Sequence, residues 1–190
     1  GVDYQLGHVD QILSDENGDI SALLLTAGDK ISGDLFVDCT GFSALLIGQH
    51  YQVPFVSQRD CLFNDTALAV QADHADEDTP IASCTKSTAQ SSGWVWDIAL
   101  PTRRGIGHVF SSQHISVEKA EDDLQRYLAA DPALAKKQHS PRKITFQPGH
   151  REHFWHKNCV AVGVSAGFVE PLEASALVLI EKSAEFVSNN

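Results

Sequence analysis

The sequence of 190 residues contains no methionine, few cations and no long apolar run, and each shortage excludes a class of function. No stretch approaches the roughly 20 apolar residues of a membrane-spanning helix, and no apolar signal-peptide core follows Gly1. With 14 Lys and Arg against 25 Asp and Glu, the net charge of -11 disfavours nucleic acid and anionic lipid. We therefore expect a cytoplasmic protein with no nucleic-acid partner and no membrane association.

Disulfides and metal clusters are also not expected. The four cysteines form no C-x-x-C pair, and Cys39 and Cys159 lie inside apolar runs, which predicts reduced, buried thiols. Three histidines recur at intervals of three, a spacing that suits a metal only on a helix: His150, His153 and His156. Pro148-Gly149 precedes them and predicts a turn that enters a strand, so we expect no metal site.

The familiar sequence motifs of catalysis are missing as well, since no Gly-x-Gly-x-x-Gly, P-loop or Ser-His-Asp signature occurs. What is present predicts an α/β fold. Two strand-like stretches, residues 5–13 and 20–26, flank Asn17-Gly18, a strong hairpin signal. Residues 33–41 predict a buried strand of a parallel sheet, ending at Gly41, where backbone could approach a ligand. A strand this close to the first residue, with no initial Met, indicates part of a longer protein.

The middle of the sequence is predicted to be rich in β-structure, with strands at residues 63–72, 93–100 and 106–111. Ser116 is expected to cap a helix that reaches about Ala130. Apolar residues alternate along the second strand, giving it one apolar, aromatic face: Trp94, Trp96, Ile98 and Leu100. This face is interpreted either as core packing or as an aromatic-binding pocket. Arg103-Arg104 falls in a predicted turn, where we expect solvated side chains.

The last segment predicts a strand, a turn of small residues and a helix. The strand covers residues 158–164, the turn residues 165–167, and the helix runs from about Leu172. One helical stripe is apolar: Leu177, Ile180, Ala184 and Val187. Small side chains at 174–176 and the positive end of the helix dipole predict an anion site. In the alternative interpretation, Glu173 is only an acidic residue favoured in a first helical turn.

Four segments of the sequence together resemble the flavin-dependent tryptophan halogenases, in order and over about residues 18–187. The segments are residues 33–42 (GDLFVDCTGF), 59–65 (RDCLFND), 93–98 (GWVWDI) and 163–175 (GVSAGFVEPLEAS). The third is similar to a W-x-W-x-I-P motif, with Ala99-Leu100 standing before Pro101. In the fourth, the family's Ser-Thr-Gly after the glutamate reads Ala174-Ser175-Ala176.

The resemblance implies part of an FAD-binding domain, Rossmann-like and of the aromatic-hydroxylase type, with an inserted β-rich substrate region. Residues 1–50 and 146–190 would belong to the FAD-binding domain, and residues 51–145, with one helix, to the insert. A separate reductase would supply reduced FAD, and chloride or bromide would be oxidised with oxygen. The oxidised halogen would reach a lysine beside an electron-rich aromatic substrate, such as tryptophan or another indole. A homodimer is left open.

The resemblance also implies roles for individual residues. Glu173 would be the catalytic carboxylate, and the backbone amides of Ser175 and Ala176 would hold the halide. Five residues would line the flavin: Gly41, Gly163, Ala166, Gly167 and Phe168. Trp94 and Trp96 would belong to the substrate region.

The family's Gly-rich motif and lysine would precede Gly1, so this chain alone is expected to be inactive. Two alternatives remain, an aromatic monooxygenase that ignores halide and a non-catalytic FAD-binding homologue.

Overall fold

The computed structural model describes residues 1–76, 78–135, 139–169, 172 and 175–189. Short 3₁₀ turns lie at Gly41–Ser43 and Gly163–Ser165, and a π-helical turn lies at Leu45–His50. The strands and α-helices of the described residues are β1 (Val9–Ser14), β2 (Ile20–Leu25), β3 (Lys30–Ser32), β4 (Phe36–Asp38), β5 (Phe55–Ser57), β6 (Thr66–Ala72), β7 (Lys86–Ala89), β8 (Trp94–Ala99), β9 (Arg104–Phe110), α1 (Val117–Ala129), β10 (Arg142–Thr145), β11 (Gly149–Arg151), β12 (Trp155–His156), β13 (Cys159–Ala161), β14 (Gly167–Phe168) and α2 (Ser175–Asn189). The chain thus has the mixed helix and strand content of an α/β protein.

The chain divides into two compact units. The first contains Gly1–Val56, Gly149–Val169 and helix α2, and the second contains Ser57–Pro148. The first unit is therefore built from segments that are distant in the sequence, whereas residues 57–148 of the second unit form one continuous stretch.

The first unit begins with an antiparallel sheet in the order β1-β2-β3. The predicted hairpin is confirmed, because β1 and β2 pair antiparallel on either side of the turn. In the turn, one Asp15 carboxylate oxygen accepts hydrogen bonds from the backbone N–H groups of Asn17 and Asp19, both at 2.9 Å. Gly18 has a φ of 79°, a conformation that glycine adopts without strain. Strand β1 begins at Val9 rather than at residue 5, and the side chain of Leu6 is 81% exposed.

A second sheet of this unit has the order β12-β13-β4, and the strand predicted within residues 33–41 lies in it with a parallel neighbour. Strands β4 and β13 are parallel, with Phe36 opposite Cys159 and Asp38 opposite Ala161. The expected nine-residue buried strand is wrong in length and in burial. Strand β4 has three residues, and the side chain of Val37 is 46% exposed, whereas Phe36 and Asp38 on the opposite face are buried.

The thiols differ from the expectation in the same region. All four cysteines are free, as predicted, but Cys39, Cys61 and Cys84 are exposed and only Cys159 is buried. Burial, together with the nearby charge of Asp38, raises the pKa of the Cys159 thiol to about 12. Cys159 packs in the core of the first unit with Ile20, Phe36, Ala44, Leu46, Ile47, Val53 and Ala161.

The second unit contains a five-stranded antiparallel sheet in the order β10-β6-β9-β8-β7. Helix α1 is capped as predicted, since the Ser116 hydroxyl oxygen accepts a hydrogen bond from the backbone N–H of Lys119 at 3.3 Å. Residues of the sheet, the helix and the loop after it form one core: Leu68, Val70, Ala72, Val95, Ile106, Phe110, Ala120, Leu124, Leu128 and Leu134.

The aromatic face of β8 is not the face that packs in this core, so the core-packing interpretation is wrong. Val95 and Asp97 point inward and are 0% and 4% exposed, whereas Trp94 and Trp96 are half-buried. The two Trp rings pack edge to face, with centroids 6.3 Å apart. A Cβ added to Gly107 would lie 2.2 Å from the Trp96 ring, so this glycine makes room for the indole on the neighbouring strand.

The apolar stripe of α2 is also not buried, contrary to the expectation from its periodicity. No described side chain of α2 is buried, and Leu177 and Ile180 of the predicted stripe are 69% and 39% exposed. Nevertheless, none of the helices formed by the described residues has the length and apolar character needed to cross a membrane.

Candidate functional site

Two loops follow the carboxyl ends of the parallel strands β4 and β13. Since Asp38 lies opposite Ala161 in a parallel register, both loops leave the sheet at the same edge, which is where α/β sheets bind ligands. Each loop turns at a glycine, Gly41 with φ of 67° and Gly163 with φ of 72°. Other residues are strained in this left-handed region, so the two glycines allow both turns.

The carboxylate of Asp38 organises the first loop and is fully buried. One oxygen accepts hydrogen bonds from the N–H and hydroxyl of Thr40, at 3.0 and 2.7 Å. The other accepts from the N–H groups of Leu46 and Ile47, both at 2.9 Å. The Asp38 carboxylate therefore caps the first N–H groups of the π-helical turn and, through Thr40, fixes the backbone of the loop that contains Gly41.

The second loop is joined to the first through Ser165, which is 1% exposed. Its hydroxyl lies within hydrogen-bonding distance of the carbonyl oxygen of Asp38 and of that of Val162, the latter at 2.9 Å. The N–H of Val162 donates to the same Asp38 carbonyl at 3.0 Å. The two loops are thus held as one rigid backbone surface inside the first unit.

The structure brings the predicted flavin residues to this surface, for different physical reasons. A Cβ added to Gly41 would meet nothing within 4 Å, so the backbone there is open to a partner. The Phe168 ring packs edge to face on Phe42 with centroids 6.0 Å apart, and Phe42 is 58% exposed. Ala166 is half-buried and donates its N–H to the carbonyl of Gly163 at 3.0 Å.

Gly167 has a structural reason to be small. A Cβ added there would lie 2.6 Å from the carbonyl oxygen of Gly149 and 2.8 Å from the Cα of His150. These atoms belong to β11, the strand that pairs with β14. Close backbone approach between these two strands therefore requires the glycine, whatever else contacts it.

The predicted halide site begins at the N-terminus of α2. Ser175 and Ala176 are its first two residues, and both are half-buried. A 15-residue helix carries partial positive charge at this end, which favours an anion. Glu173, the predicted catalytic carboxylate, lies outside the described residues. The helix begins later than the expected Leu172, whose side chain is 46% exposed.

The predicted substrate-region residues Trp94 and Trp96 belong to the second unit. In the same unit, Arg104 corrects the expectation of a solvated side chain. Its guanidinium pairs with Asp97 at 2.5 Å and Asp131 at 2.6 Å, and it is only 16% exposed. The hydrogen bonds that Arg104 donates to Asp97, opposed by burial and reinforced by those to Asp131, raise the pKa of Arg104 further above its ordinary value.

The three spaced histidines lie on short strands and a turn, not on one helical face. The His150 ring nitrogen Nδ1 is 2.9 Å from the carbonyl oxygen of Arg151, and the His156 ring packs 5.0 Å from that of Tyr51. Across the part of the chain that the structure describes, no cluster of three His, Cys, Asp or Glu side chains could hold a metal ion.

Sequence reasoning missed Asp38, Ser165 and Arg151, which hold the two loops. The Arg151 guanidinium donates to the carbonyl oxygens of Val53 at 3.0 Å and Ser165 at 3.4 Å, and stacks 5.5 Å from the Phe55 ring. A lone carboxylate at the end of an apolar strand, three residues before a glycine, was the available signal for Asp38. The other two leave no local pattern, because their partners are distant in the sequence.

Comparison with known proteins gives consistent matches over almost the whole chain. The sequence profile of the tryptophan halogenase family matches residues 1–189. The tryptophan 6-halogenase SttH of Streptomyces toxytricini is 39% identical over 185 residues, which are 97% of this chain and 35% of the relative.

Solved structures give the same result. A tryptophan halogenase from Shewanella frigidimarina is 53% identical with a TM-score of 0.85, covering 94% of this chain and 34% of its own. BrvH, a flavin-dependent halogenase from Brevundimonas, is 41% identical with a TM-score of 0.86, covering 96% and 36%. The chain therefore spans about a third of the length of the proteins it matches.

Proposed function

The chain belongs to the tryptophan halogenase family, and on this premise we propose that the protein is an FAD-dependent halogenase of electron-rich aromatic substrates, such as tryptophan or another indole. The match of the family profile over residues 1–189 carries this proposal. The first unit, with its parallel pair β4 and β13, would be part of a Rossmann-like FAD-binding domain. The second unit, rich in β-structure, would be the inserted substrate region.

The residues of the paired loops fit a flavin. The backbone at Gly41 is open, and Phe42 exposes an aromatic ring beside it. Gly41, Gly163, Ala166, Gly167 and Phe168 would line the cofactor, with Asp38 and Ser165 holding their backbone in place. When bound, reduced FAD supplies the electrons that activate oxygen, and a separate flavin reductase would be the partner that reduces it. The chain's own residues contribute binding, orientation and exclusion of water.

The start of α2 would hold the halide. The N–H groups of Ser175 and Ala176 lie in its first turn, where the helix dipole favours chloride or bromide without a metal or a cationic side chain. Glu173 would orient the oxidised halogen or accept the proton released from the aromatic ring. Trp94 and Trp96 present the aromatic face of the second unit and would border the substrate region.

The test uses the intact protein with FAD, a flavin reductase, NADH and bromide, and a panel of indoles and phenols. We expect a product with the bromine isotope doublet in mass spectrometry. A Glu173→Gln variant should lose at least about 100-fold of this activity, while Glu181→Gln, an exposed carboxylate farther along α2, should keep it. Oxygenated product without bromine would instead identify a monooxygenase. Bound FAD with no product from any compound would favour the non-catalytic homologue.

A further inference from the structure

One histidine in the core of the second unit has no role in the proposed halogenase chemistry. His108 lies on β9 and is 0% exposed. Its neighbours in the strand pairing are Leu68 on β6 and Val95 on β8, which are buried as well. Its ring packs 5.5 Å from that of Phe110. The side chain therefore points into the core that the sheet forms with α1, where its two nitrogens need hydrogen-bond partners.

Both ring nitrogens of His108 meet a backbone carbonyl oxygen. Nδ1 lies 3.0 Å from the carbonyl oxygen of Ala120 on α1, and Nε2 lies 2.7 Å from that of Ser92, in the turn of residues 90–93 that leads into β8. A neutral imidazole has only one N–H, so in either tautomer one nitrogen would direct a lone pair at a carbonyl oxygen. Only the imidazolium, which has two N–H groups, donates to both carbonyls. The geometry therefore favours a positively charged His108 in the folded chain.

A buried cation needs a negative charge near it, and Asp123 supplies one. Asp123 is 1% exposed and lies one helical turn after Ala120, so both residues are on the same face of α1. Its carboxylate accepts a hydrogen bond from the hydroxyl of Ser91 at 3.2 Å, and Ser91 directly precedes the residue whose carbonyl accepts from Nε2. The cation and the carboxylate thus lie at the same junction between α1 and the turn of residues 90–93.

Other titratable groups also face the space between the sheet and α1. They come from α1, β8 and β9: Lys119, Asp123, Arg126, Tyr127, Asp97 and Arg104. Carboxylates, ammonium and guanidinium groups ordinarily titrate far from neutral pH, and burial raises the pKa of Tyr127 further. Strand β6 contains no ionisable residue, and His108 is the sole histidine in the sequence of β6 to β10 and α1. A change of charge near neutral pH in these elements therefore falls on His108.

We propose that protonated His108 is a pH-sensitive lock that holds the turn of residues 90–93 between β9 and α1. While His108 is charged, the carbonyls of Ala120 and Ser92 both accept a proton from it. As the pH rises, His108 releases one proton to solvent, and one of these two carbonyls loses its donor. The turn is then no longer tied to both the helix and the strand. This regulation does not depend on the proposed halogenase activity.

The turn that His108 holds is closely packed and leads directly into the aromatic strand β8. Gly93 has a φ of 81°, and a Cβ added there would lie 1.9 Å from the carbonyl oxygen of Val109. Trp94 follows it and pairs with Val109 on β9. Loosening of the turn should therefore weaken the start of β8, and the stability of the second unit should depend on the charge of His108.

The protonation state is measured directly by NMR of the ring nitrogens in the ¹⁵N-labelled 190-residue chain. The signals of His108 are assigned through the contact of its ring with Phe110. At about pH 7.5, a histidine with the ordinary pKa of about 6.5 is about nine-tenths neutral. We expect His108 to carry a proton on both nitrogens at this pH. A nitrogen with a free lone pair in most molecules at this pH overturns the proposal.

The second measurement is urea unfolding of the second unit, followed by Trp94 and Trp96 in a Trp155→Phe background. Because folding favours the charged form, the stability it contributes is complete below the ordinary histidine pKa of about 6.5 and is lost as the pH rises and folded His108 releases its proton. The equilibrium constant of unfolding should therefore rise about tenfold between about pH 6 and about pH 8.5.

Two matched variants assign this pH dependence to one residue. In His108→Gln, which cannot titrate, the equilibrium constant of unfolding should change by less than about twofold over the same pH range. In His114→Gln, which replaces an exposed histidine of the same unit, the tenfold rise should remain. A rise in His108→Gln equal to that of the unchanged chain overturns the proposal, as does its loss in His114→Gln. Neither measurement involves FAD, a halide or an aromatic substrate.

Discussion

The two α-helices of this chain show how differently its two units are packed. Helix α1 in the second unit buries Ala120, Leu124 and Leu128, which are at most 2% exposed. Helix α2 in the first unit has an apolar sequence but no buried described side chain, and Leu179 is 57% exposed. The described residues of this chain therefore bury the apolar face of α1 in the second unit, but they do not bury the apolar face of α2 in the first.

The difference shows that having an apolar helix face and having that face covered are separate properties, although a sequence pattern reports only the first. An apolar stripe indicates that a helix has a face to bury, but what covers that face depends on other segments. In the second unit, the sheet and the loop after α1 supply the cover. For α2, the described residues of this chain do not, and the relatives with which it aligns are about three times as long. The comparison of the two helices and the two units leads to the following predictions, ordered from the largest expected effect to the smallest.

The largest effect is expected for Leu124→Ala, measured by urea unfolding of the 190-residue chain. Loss of a fully buried side chain removes its transfer free energy and leaves a cavity, at a cost of about 2–5 kcal/mol in unfolding free energy. The matched change on the other helix, Leu179→Ala, should alter this free energy by less than about 0.5 kcal/mol, as exposed positions do.

Trp155 lies in the first unit and reports on Leu179→Ala, whereas Trp94 and Trp96 report on Leu124→Ala in the second unit when Trp155 is replaced by Phe. Equal losses of unfolding free energy in the two leucine variants would show that α1 and α2 do not differ in burial. A large cost of Leu179→Ala that appears only in a longer protein would show that another segment covers α2.

A second prediction concerns the polar centre of the first unit. Asp38→Ala leaves the buried N–H groups of Leu46 and Ile47 without their acceptor, which should cost about 2 kcal/mol in unfolding free energy. Replacement of Asp10, an exposed carboxylate on β1, by alanine is the control and should change little. A cost for Asp38→Ala no larger than that of the control would mean that the two loops are not held by this carboxylate.

The elements that could be predicted from the sequence depend on neighbouring residues. Helix α1, its Ser116 cap and the Asn17-Gly18 hairpin follow from local spacing and turn chemistry. Two short apolar runs predicted the strands β4 and β13, but their parallel pairing with each other is a result of the structure. Gly41 was predicted to end the first strand, whereas Gly163 was predicted inside the second strand and lies instead in the turn that follows it.

What could not be predicted depends on contacts between distant residues. On β8, the alternation placed Trp94 and Trp96 on the apolar face, yet Asp97 on the opposite face is the buried one. The burial is tolerated because Arg104 and Tyr127 donate to that carboxylate. The alternation along β8 predicts that Asp97 faces solvent, because it does not show which distant residues neutralise the charge.

A smaller effect is expected from acid, and it should act on the second unit. Burial opposes ionisation of Asp65, but hydrogen bonds from Ser112, Thr66 and Arg59 outweigh it and hold its pKa below 3.8. The hydrogen bond from Arg104, opposed by burial, likewise lowers the pKa of Asp131 below 3.8. A depressed folded-state pKa gives stability that is complete above the unfolded value and is lost as the pH falls through the folded value.

The urea midpoint of the second unit, followed by Trp94 and Trp96, should therefore fall between pH 6 and about pH 3. The fall should be smaller in Asp65→Asn, which has no carboxylate to protonate at this position. An identical fall in the two proteins would show that Asp65 does not contribute to acid sensitivity.

The smallest perturbation is chemical labelling, which leaves the fold unchanged and compares the units by the access to their thiols. Cys39, Cys61 and Cys84 are exposed and should react with a thiol reagent in the native chain. Cys159 is fully buried, and its raised pKa removes the reactive thiolate at neutral pH, so it should react only when the first unit opens. Its labelling rate thus measures the opening of this unit without any substitution. If all four thiols reacted at one rate, the core around Cys159 would open as readily as the surface, and the parallel pair β4 and β13 would not be its stable centre.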